Sequence, residues 1–250
     1  MFAAAPEDMP IATGRVIGNA EDEIMAAKRS YRWLLVLLAV TGLAADQGTK
    51  YGVFRWLYND RQGAAGGKLE SWVVAKSWYA ADGADDQRFL AGGRYDVVPG
   101  WFGFIAEFTS KPDRKPWPNR AEVLQTWSAP EMPHVNEGAL FGMGGSTGMG
   151  NTVFAIISLI AALGISVWAL LRGKRADGWM CAALGLILGG TVGNCYDRIV
   201  FEGVRDFLYF YKINWPVFNV ADCCLVCGAI ILLGHAFLVK TPKAEPVVAV

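Results

Sequence analysis

Two aspartates flank one turnaround of this chain and are its strongest candidates for chemistry. Asp206 lies in a short polar and aromatic stretch after one apolar run, and Asp222 lies 16 residues later, at the start of the next run. Acids at the edges of bilayer-length apolar segments are costly, so a functional role is the default interpretation. One turn of the chain would bring both carboxylates to the same membrane face.

Two neighbouring carboxylates cannot both ionise cheaply, so they share a proton, and one acts as base while the other acts as acid. Such a pair activates a water for attack on an amide and then protonates the leaving nitrogen. Two other interpretations stay open on the residues alone. The acids could be structural, each paired with a cation such as Arg198, Arg205 or Lys212, or they could line an ion or proton path.

The elements that must position these acids are membrane helices. Hydrophobic residues make up 53% of the chain and are gathered into four runs, at about 31–47, 152–171, 178–197 and 218–239. Each run is near the roughly 17–25 residues that a spanning helix needs, and few charges interrupt it. The predicted fold class is therefore membrane all-α, a four-transmembrane-helix bundle with a small β-rich extracytoplasmic subdomain.

Basic residues set the predicted topology. They cluster before the first run, between the second and third, and after the fourth. Because basic residues beside short loops stay in the cytoplasm, both termini are predicted to be cytoplasmic. The predicted order is a cytoplasmic tail at 1–29, transmembrane helices at 30–51, 151–171, 178–198 and 217–239, an extracytoplasmic β-rich insertion at 52–150, a cytoplasmic link at 172–177, an extracytoplasmic loop at 199–216 and a cytoplasmic tail at 240–250.

The outer insertion and the third run carry further local signals. Alternating pieces at 68–79 and 94–108 predict strands. The tryptophans of the insertion would either lie at the level of the lipid headgroups or pack the subdomain, and the sequence favours neither. Small-xxx-small spacings in the third run predict close helix packing, and they involve Gly185, Gly189, Gly190 and Gly193.

Several polar residues near the helix ends have two interpretations. Asn194 and Asn219 would either orient a carboxylate or bind substrate, or form hydrogen bonds between helices. Asp197, with Arg198 beside it, is predicted to make a structural ion pair or a headgroup contact. Asp46 lies four residues before Lys50, a spacing that gives at least a local pair on a helix.

No metal, cofactor or nucleic acid is expected. Cys224 and Cys227 have CxxC spacing, but no second pair and no histidine cluster accompanies them. The five cysteines are therefore interpreted as packing residues, with no disulfide framework. No HExxH motif supports a zinc protease. The net charge of zero gives no reason to expect a nucleic-acid partner.

Five short motifs occur in order along the chain. They are D-x-x-T-K at 46–50, N-x-G-A-x-F at 136–141, G-N-x-x-D-R at 193–198, V-x-D-F at 204–207 and F-N-x-A-D at 218–222. Together they resemble the lipoprotein signal peptidases, also called signal peptidase II. These are four-helix aspartic proteases of the bacterial inner membrane that remove the signal peptide from diacylglyceryl-modified prolipoproteins.

The resemblance implies a role for each matched residue. Asp206 and Asp222 would be the catalytic dyad of an aspartic endopeptidase that needs no cofactor. The residues that would order the site or bind substrate are Asn136, Gly138, Asn194, Arg198, Asn219 and Ala221. Asp46, Lys50 and Asp197 would support the structure. The implied partners are diacylglyceryl-modified prolipoproteins and membrane lipids, and the implied state is a monomeric multi-pass protein of the bacterial inner membrane, with its active site near the outer face.

Two features depart from the family pattern. The 85 residues between Lys50 and Asn136 exceed the few tens that are usual, which predicts an enlarged outer subdomain over the substrate cleft. Arg205 replaces the small apolar residue that commonly precedes the catalytic aspartate, and it is expected to lower the pKa of Asp206. A proton-coupled carrier and an inactive homologue that binds lipoproteins remain as alternatives.

Overall fold

The computed structural model describes residues 30–62, 90–109, 120–129, 132–138, 149–173 and 176–238. Its long helices lie where the apolar runs are, and the strands lie in the segments between them. The helices are α1 (Arg32–Gln62), α2 (Arg120–Ser128), α3 (Met149–Leu171), α4 (Gly178–Val200) and α5 (Val220–Leu238). The strands are β1 (Leu90–Val98), β2 (Phe102–Thr109), β3 (Met132–Pro133) and β4 (Leu208–Tyr209), followed by a 3₁₀ helix at Tyr211–Ile213.

Three helices in the described part of the chain are long and apolar enough to cross a membrane. They are the segments Gly150–Leu171, Gly178–Val200 and Val220–Leu238. The first two coincide with predicted transmembrane helices, while α5 begins three residues later than predicted because Asn219 caps it. The fourth predicted span, at 30–51, stays a prediction.

The first helix is longer than the sequence indicated. It was expected to end near Tyr51, and instead it continues to Gln62. Phe54, Leu57 and Tyr58 recur at helical spacing, and all three are buried against a cluster that includes Phe108 of β2. The extra turns are therefore helical because the outer sheet covers their apolar face.

Helix α4 packs against α1, α3 and α5. The glycines of the predicted small-xxx-small pattern lie at two of these contacts. A Cβ at Gly189 would be 2.7 Å from the carbonyl oxygen of Ala39 in α1, and one at Gly190 would be 2.5 Å from the carbonyl oxygen of Ala221 in α5. The predicted close approach is confirmed, since the helix backbones come too near for larger residues.

The N-terminus of α4 is capped by Asp177. Asp177 Oδ1 accepts a hydrogen bond of 2.9 Å from the backbone N–H of Met180. Its other carboxylate oxygen lies 2.7 Å from Nε2 of His235, near the end of α5. The pair joins the ends of two helices far along the helix axes from the predicted site.

The segments between the long helices form a small antiparallel sheet around β2. Strand β1 pairs along one edge of β2, and β3 and β4 share the other edge. The predicted strand at 94–108 is therefore a hairpin, which turns at Gly100 with a φ of +81°. The predicted strand at 68–79 and the two predicted tails lie outside the described residues. All five cysteines are free thiols.

Candidate active site

Asp206 lies in an extended segment that is held on both sides. Val204 pairs with Asn136 through backbone hydrogen bonds of 2.8 and 3.0 Å. Leu208 pairs in the same way with Phe218, also at 2.8 and 3.0 Å. These pairings fix Asp206 between the outer subdomain and the start of α5.

Two amide side chains donate to the carboxylate of Asp206. Asn136 Nδ2 lies 3.0 Å from Oδ2, and Asn219 Nδ2 lies 2.6 Å from Oδ1. Burial, followed by the charge of Asp222, raises the pKa of Asp206 to about 7, although both amides act in the opposite direction. A carboxyl group that is half protonated near neutral pH is suited to proton transfer.

Asp222 is held at the N-terminus of α5 by a reciprocal cap. Its backbone N–H donates to Asn219 Oδ1 at 3.0 Å, and the backbone N–H of Asn219 donates to Asp222 Oδ2 at 3.2 Å. The remaining oxygen, Oδ1, accepts a bond of 2.8 Å from Asn194 Nδ2. Both carboxylate oxygens of Asp222 therefore accept hydrogen bonds.

Asn194 and Asn219 connect the carboxylates to the helix bundle. Both asparagines are buried. Besides contacting Asp206, Asn219 Nδ2 donates to Asn194 Oδ1 at 3.2 Å, and the same oxygen accepts a bond of 3.1 Å from Lys50 Nζ. The two interpretations left open by the sequence are thus compatible, since these amides both join helices and hold carboxylates.

Asp46, Lys50, Asp197 and Arg205 form a buried ion cluster beneath the two carboxylates. All four side chains are fully buried. Lys50 Nζ lies 2.9 Å from Asp46 and 3.4 Å from Asp197. Asp46 also accepts a bond of 2.9 Å from the backbone N–H of Ala221 in the first turn of α5. Because buried charges need partners, the cluster fixes α1, α4 and the start of α5 together.

Arg205 contacts Asp197 and turns away from Asp206. Its Nη2 and Nε donate to the two carboxylate oxygens of Asp197 at 2.8 and 3.2 Å. The expectation that Arg205 lowers the pKa of Asp206 is wrong, because successive side chains of an extended segment point to opposite faces. Nor is Arg205 an ion-pair partner for either predicted catalytic acid.

The comparisons with known proteins agree with the resemblance that the motifs indicate. A model of the signal peptidase II family matches residues 122–238. The lipoprotein signal peptidase of Rhodopirellula baltica is 31% identical over 209 residues, which cover 77% of this chain and 77% of the relative.

The chain belongs to the lipoprotein signal peptidase family. Two further members match shorter stretches. The lipoprotein signal peptidase of Pseudoalteromonas translucida is 42% identical over 110 residues, covering 43% of this chain and 66% of the relative. The one from Pseudomonas aeruginosa is 39% identical over 109 residues, covering 42% and 64%. The chain is therefore a peptidase of the membrane-embedded signal peptidase II class.

The fold is also similar to that of a bacterial membrane enzyme whose structure was solved by the in meso method at 1.9 Å resolution. The TM-score is 0.52 at 20% sequence identity, and the match covers 86% of this chain and 98% of the other. A second structure of such an enzyme, at 2.3 Å resolution, gives a TM-score of 0.51 at 19% identity and covers 87% and 98% of the two chains. These matches show that the folds of the chains are alike.

The other predicted site residues of this signal peptidase II homologue lie around the same centre. Arg198 donates to the carbonyl oxygen of Asn194 at 3.2 Å, and its charge acts on both Asp206 and Asp222. Asp197 does not use its neighbour Arg198 as partner, because Arg205 and Lys50 occupy both of its oxygens.

Gly138 supports the side-chain amide of Asn136. Its backbone N–H donates to Asn136 Oδ1 at 2.9 Å, and its φ of +95° favours glycine. A Cβ there would also lie 2.8 Å from the ring of Phe154. The remaining motif residues at 139–141 lie outside the described part of the chain.

Sequence reasoning missed two residues of the site's support. Gln47 donates to Asp46 at 2.9 Å and to Asp197 at 3.2 Å, and its oxygen accepts a bond of 2.9 Å from Arg205. Ser128, at the end of α2, accepts a bond of 3.2 Å from Arg205 Nη1. The position of Gln47 within the first motif could have indicated a role in the site, whereas no local sequence pattern indicates one for Ser128.

Proposed function

We propose that this chain is an intramembrane aspartic endopeptidase that removes the signal peptide from diacylglyceryl-modified prolipoproteins, cutting before the lipidated cysteine. The observation that carries the proposal is the double contact of Asn219, which holds both carboxylates. Its side chain donates to Asp206 at 2.6 Å and its backbone N–H donates to Asp222 at 3.2 Å. Two carboxylates held on one residue can share one proton, as aspartic peptidases require.

The surroundings of the two acids differ enough to propose separate roles. Asp222 begins as the base, because it lies in the first turn of α5 and accepts a hydrogen bond from the Asn194 amide. Asp206 begins as the acid, since its pKa of about 7 keeps it partly protonated at neutral pH. The charge of Asp222 also favours the protonated form of Asp206.

The proposed reaction has two steps, and the protons balance. In the first, a water oxygen bonds to the scissile carbonyl carbon, Asp222 takes a proton from that water, and Asp206 gives its proton to the carbonyl oxygen. In the second, the carbon–nitrogen bond breaks, and the nitrogen receives the proton held by Asp222. The carbonyl re-forms as one hydroxyl returns its proton to Asp206, so both acids end as they began.

The proposed site lies at one end of the membrane spans. Asp222 is the third residue of α5, and Asp206 follows the end of α4 by six residues. With the basic clusters in the cytoplasm, this end faces the outer side of the bacterial inner membrane. The lipidated substrate would enter sideways between helices and lie beneath the outer sheet. We propose a monomer in contact with membrane lipids.

Cleavage of a purified diacylglyceryl-modified prolipoprotein in detergent tests the proposal. We expect wild type to cut it with or without a chelator, and to leave the unlipidated precursor intact. Asp206→Asn and Asp222→Asn should still bind substrate, while kcat falls about 10²–10⁴-fold, the usual contribution of a general acid or base. Asp177→Asn is the matched control, because Asp177 caps the far end of α4 and asparagine caps equally well.

The outcomes separate the candidate functions. Retained cleavage by either active-site variant would show that the dyad assignment is wrong. Folded wild type that binds the lipidated precursor without cutting it would favour the inactive lipoprotein-binding homologue. Folded wild type that neither binds nor cuts it would leave the proton-coupled carrier as the better interpretation.

A further inference from the structure

We propose that Arg205 is a positioning residue, which sets the geometry of Asp206 by tying residues 204–206 to α4, α1 and α2. The proposal rests on the proposed function, because it takes Asp206 as a catalytic acid. Arg205 itself faces away from the reaction site and would act only through its neighbour.

The connection between α4 and Asp206 is short and sharply turned. Helix α4 ends at Val200, and Glu202 adopts a φ of +59°, a left-handed conformation that is uncommon for residues with a Cβ. By Val204 the chain is already paired with the outer segment. The orientation of Asp206 therefore depends on the contacts that fix the backbone immediately after this turn.

Asp197 holds residue 205 through three hydrogen bonds. The backbone N–H of Arg205 donates to Oδ2 at 2.9 Å, and the side-chain Nε and Nη2 donate to Oδ2 and Oδ1 at 3.2 and 2.8 Å. Asp197 lies three residues before the end of α4, and Lys50 and Gln47 also hold it. The two-point contact fixes direction as well as distance, because guanidinium and carboxylate are both planar forks.

The guanidinium group of Arg205 also contacts α1 and α2. Nη2 donates to Gln47 Oε1 of α1 at 2.9 Å, and Nη1 donates to Ser128 Oγ of α2 at 3.2 Å. The rings of Phe201 and Tyr51 cover the group, with centroids 3.8 and 4.3 Å from its central carbon. One side chain thereby links three helices to the segment that carries Asp206.

The consequence falls on the two amides that hold Asp206. Asn136 and Asn219 stand on separately fixed elements, so the carboxylate meets both only if its backbone is correctly placed. A misplacement of about 1 Å costs up to roughly 100-fold in rate. For placing Asp206, the positive charge at residue 205 is therefore less important than the planar guanidinium group, which lysine lacks.

Arg205→Lys tests this, with Arg172→Lys as matched control because Arg172 is exposed in the turn after α3. We expect Arg205→Lys to lower kcat about 10- to 100-fold with KM within about threefold of wild type. The pH–kcat limb that reports Asp206 should move to higher pH, because loosened amides stabilise the carboxylate less. The charged groups that act on Asp206 are Asp222, Lys50 and Arg198, and all three stay unchanged.

A second variant covers the case in which Arg205→Lys does not fold. Ser128→Ala removes only the acceptor of Nη1, and it should lower kcat about two- to fivefold. A wild-type kcat and pH limb in folded Arg205→Lys, a change confined to KM, or a wild-type kcat in Ser128→Ala would each overturn the positioning role. Asp206→Asn is measured in parallel. If it remains active, the proposed function fails; if it is inactive while Arg205→Lys behaves as wild type, only the positioning role fails.

Discussion

Two pairs of aspartates lie within one site and have opposite surroundings. Asp46 and Asp197, in the buried ion cluster, both contact Lys50, and Asp197 also binds Arg205 through two oxygens. Asp206 and Asp222 accept hydrogen bonds only from amide groups within the described part of the chain. Among the described residues, the first pair has a countercharge in direct contact and the second has none.

The difference separates structure from chemistry. A carboxylate that is paired with a buried cation keeps its charge, because giving it up would leave the cation alone. A carboxylate held by neutral amides and facing a second carboxylate can gain or lose a proton without breaking an ion pair. Asn194 lies at the border, since it binds Lys50 on one side and Asp222 on the other.

The largest effect on stability is expected from removing Lys50, the cation that pairs with both Asp46 and Asp197. Lys50→Met should lower the free energy of unfolding by about 3–5 kcal/mol, because two buried carboxylates lose a partner. Lys212→Met is the control, since Lys212 is exposed over the Trp101 ring, and we expect a change within about 1 kcal/mol. Unfolding in mixed detergent measures both. Equal stabilities would mean that Lys50 is not needed to neutralise the cluster.

Glu107 of β2 is a third kind of acid, which is partly buried and pairs with neither a lysine nor an arginine among the described residues. Its Oε2 has no hydrogen-bond partner in the described structure, and His134 Nδ1 lies 3.7 Å away. Burial raises its pKa to about 7. The folded state therefore binds the proton more tightly than the unfolded state, so stability is fully present below about pH 4.5 and is lost as the pH rises through 7.

Glu107→Gln should remove this loss. Its stability relative to wild type is expected to grow by about 2–3 kcal/mol between pH 5 and pH 8, from the conversion of a pKa shift to free energy. The pKa of Asp206 is also raised, so stability depends on its protonation in the same direction. Because Asp206 is present in both proteins, the difference in stability between variant and wild type reports Glu107 alone. Unfolding measured at several pH values provides the curve. A constant difference would contradict a raised pKa at this residue.

Asn219→Ser tests whether the Asn219 side chain serves the active-site carboxylates or only the packing of the helices. Serine still caps α5, but it cannot donate to Asp206 and Asn194 at once. We expect kcat to fall about 10- to 100-fold and the free energy of unfolding to change by less than about 1 kcal/mol. A large loss of stability with unchanged kcat would assign Asn219 to the helix bundle alone.

The sequence predicted the parts of this arrangement that depend on local pattern. Apolar runs predicted the regions of α3, α4 and α5, and the motifs singled out Asp206, Asp222, Asn194 and Asn219 as candidates for one site. It did not predict the end of α1, because the helix past Tyr51 depends on packing against β2. Nor did it predict the contacts of Arg205, because Asp197 and Ser128 approach it only after α4, α2 and the turn at Glu202 are in place.

The close packing behind the ion cluster gives a smaller and more local prediction. A Cβ at Gly193 of α4 would lie 2.5 Å from Asp46 Oδ2, whereas nothing lies within 4 Å of one at Gly164 of α3. Gly193→Ala should cost about 1–3 kcal/mol, because the buried carboxylate must move away from Lys50. Gly164→Ala should be neutral or stabilising by up to about 1 kcal/mol. The same substitution in two membrane-length helices thus measures how tightly the paired acids are held, and equal effects would show that Asp46 has room to shift.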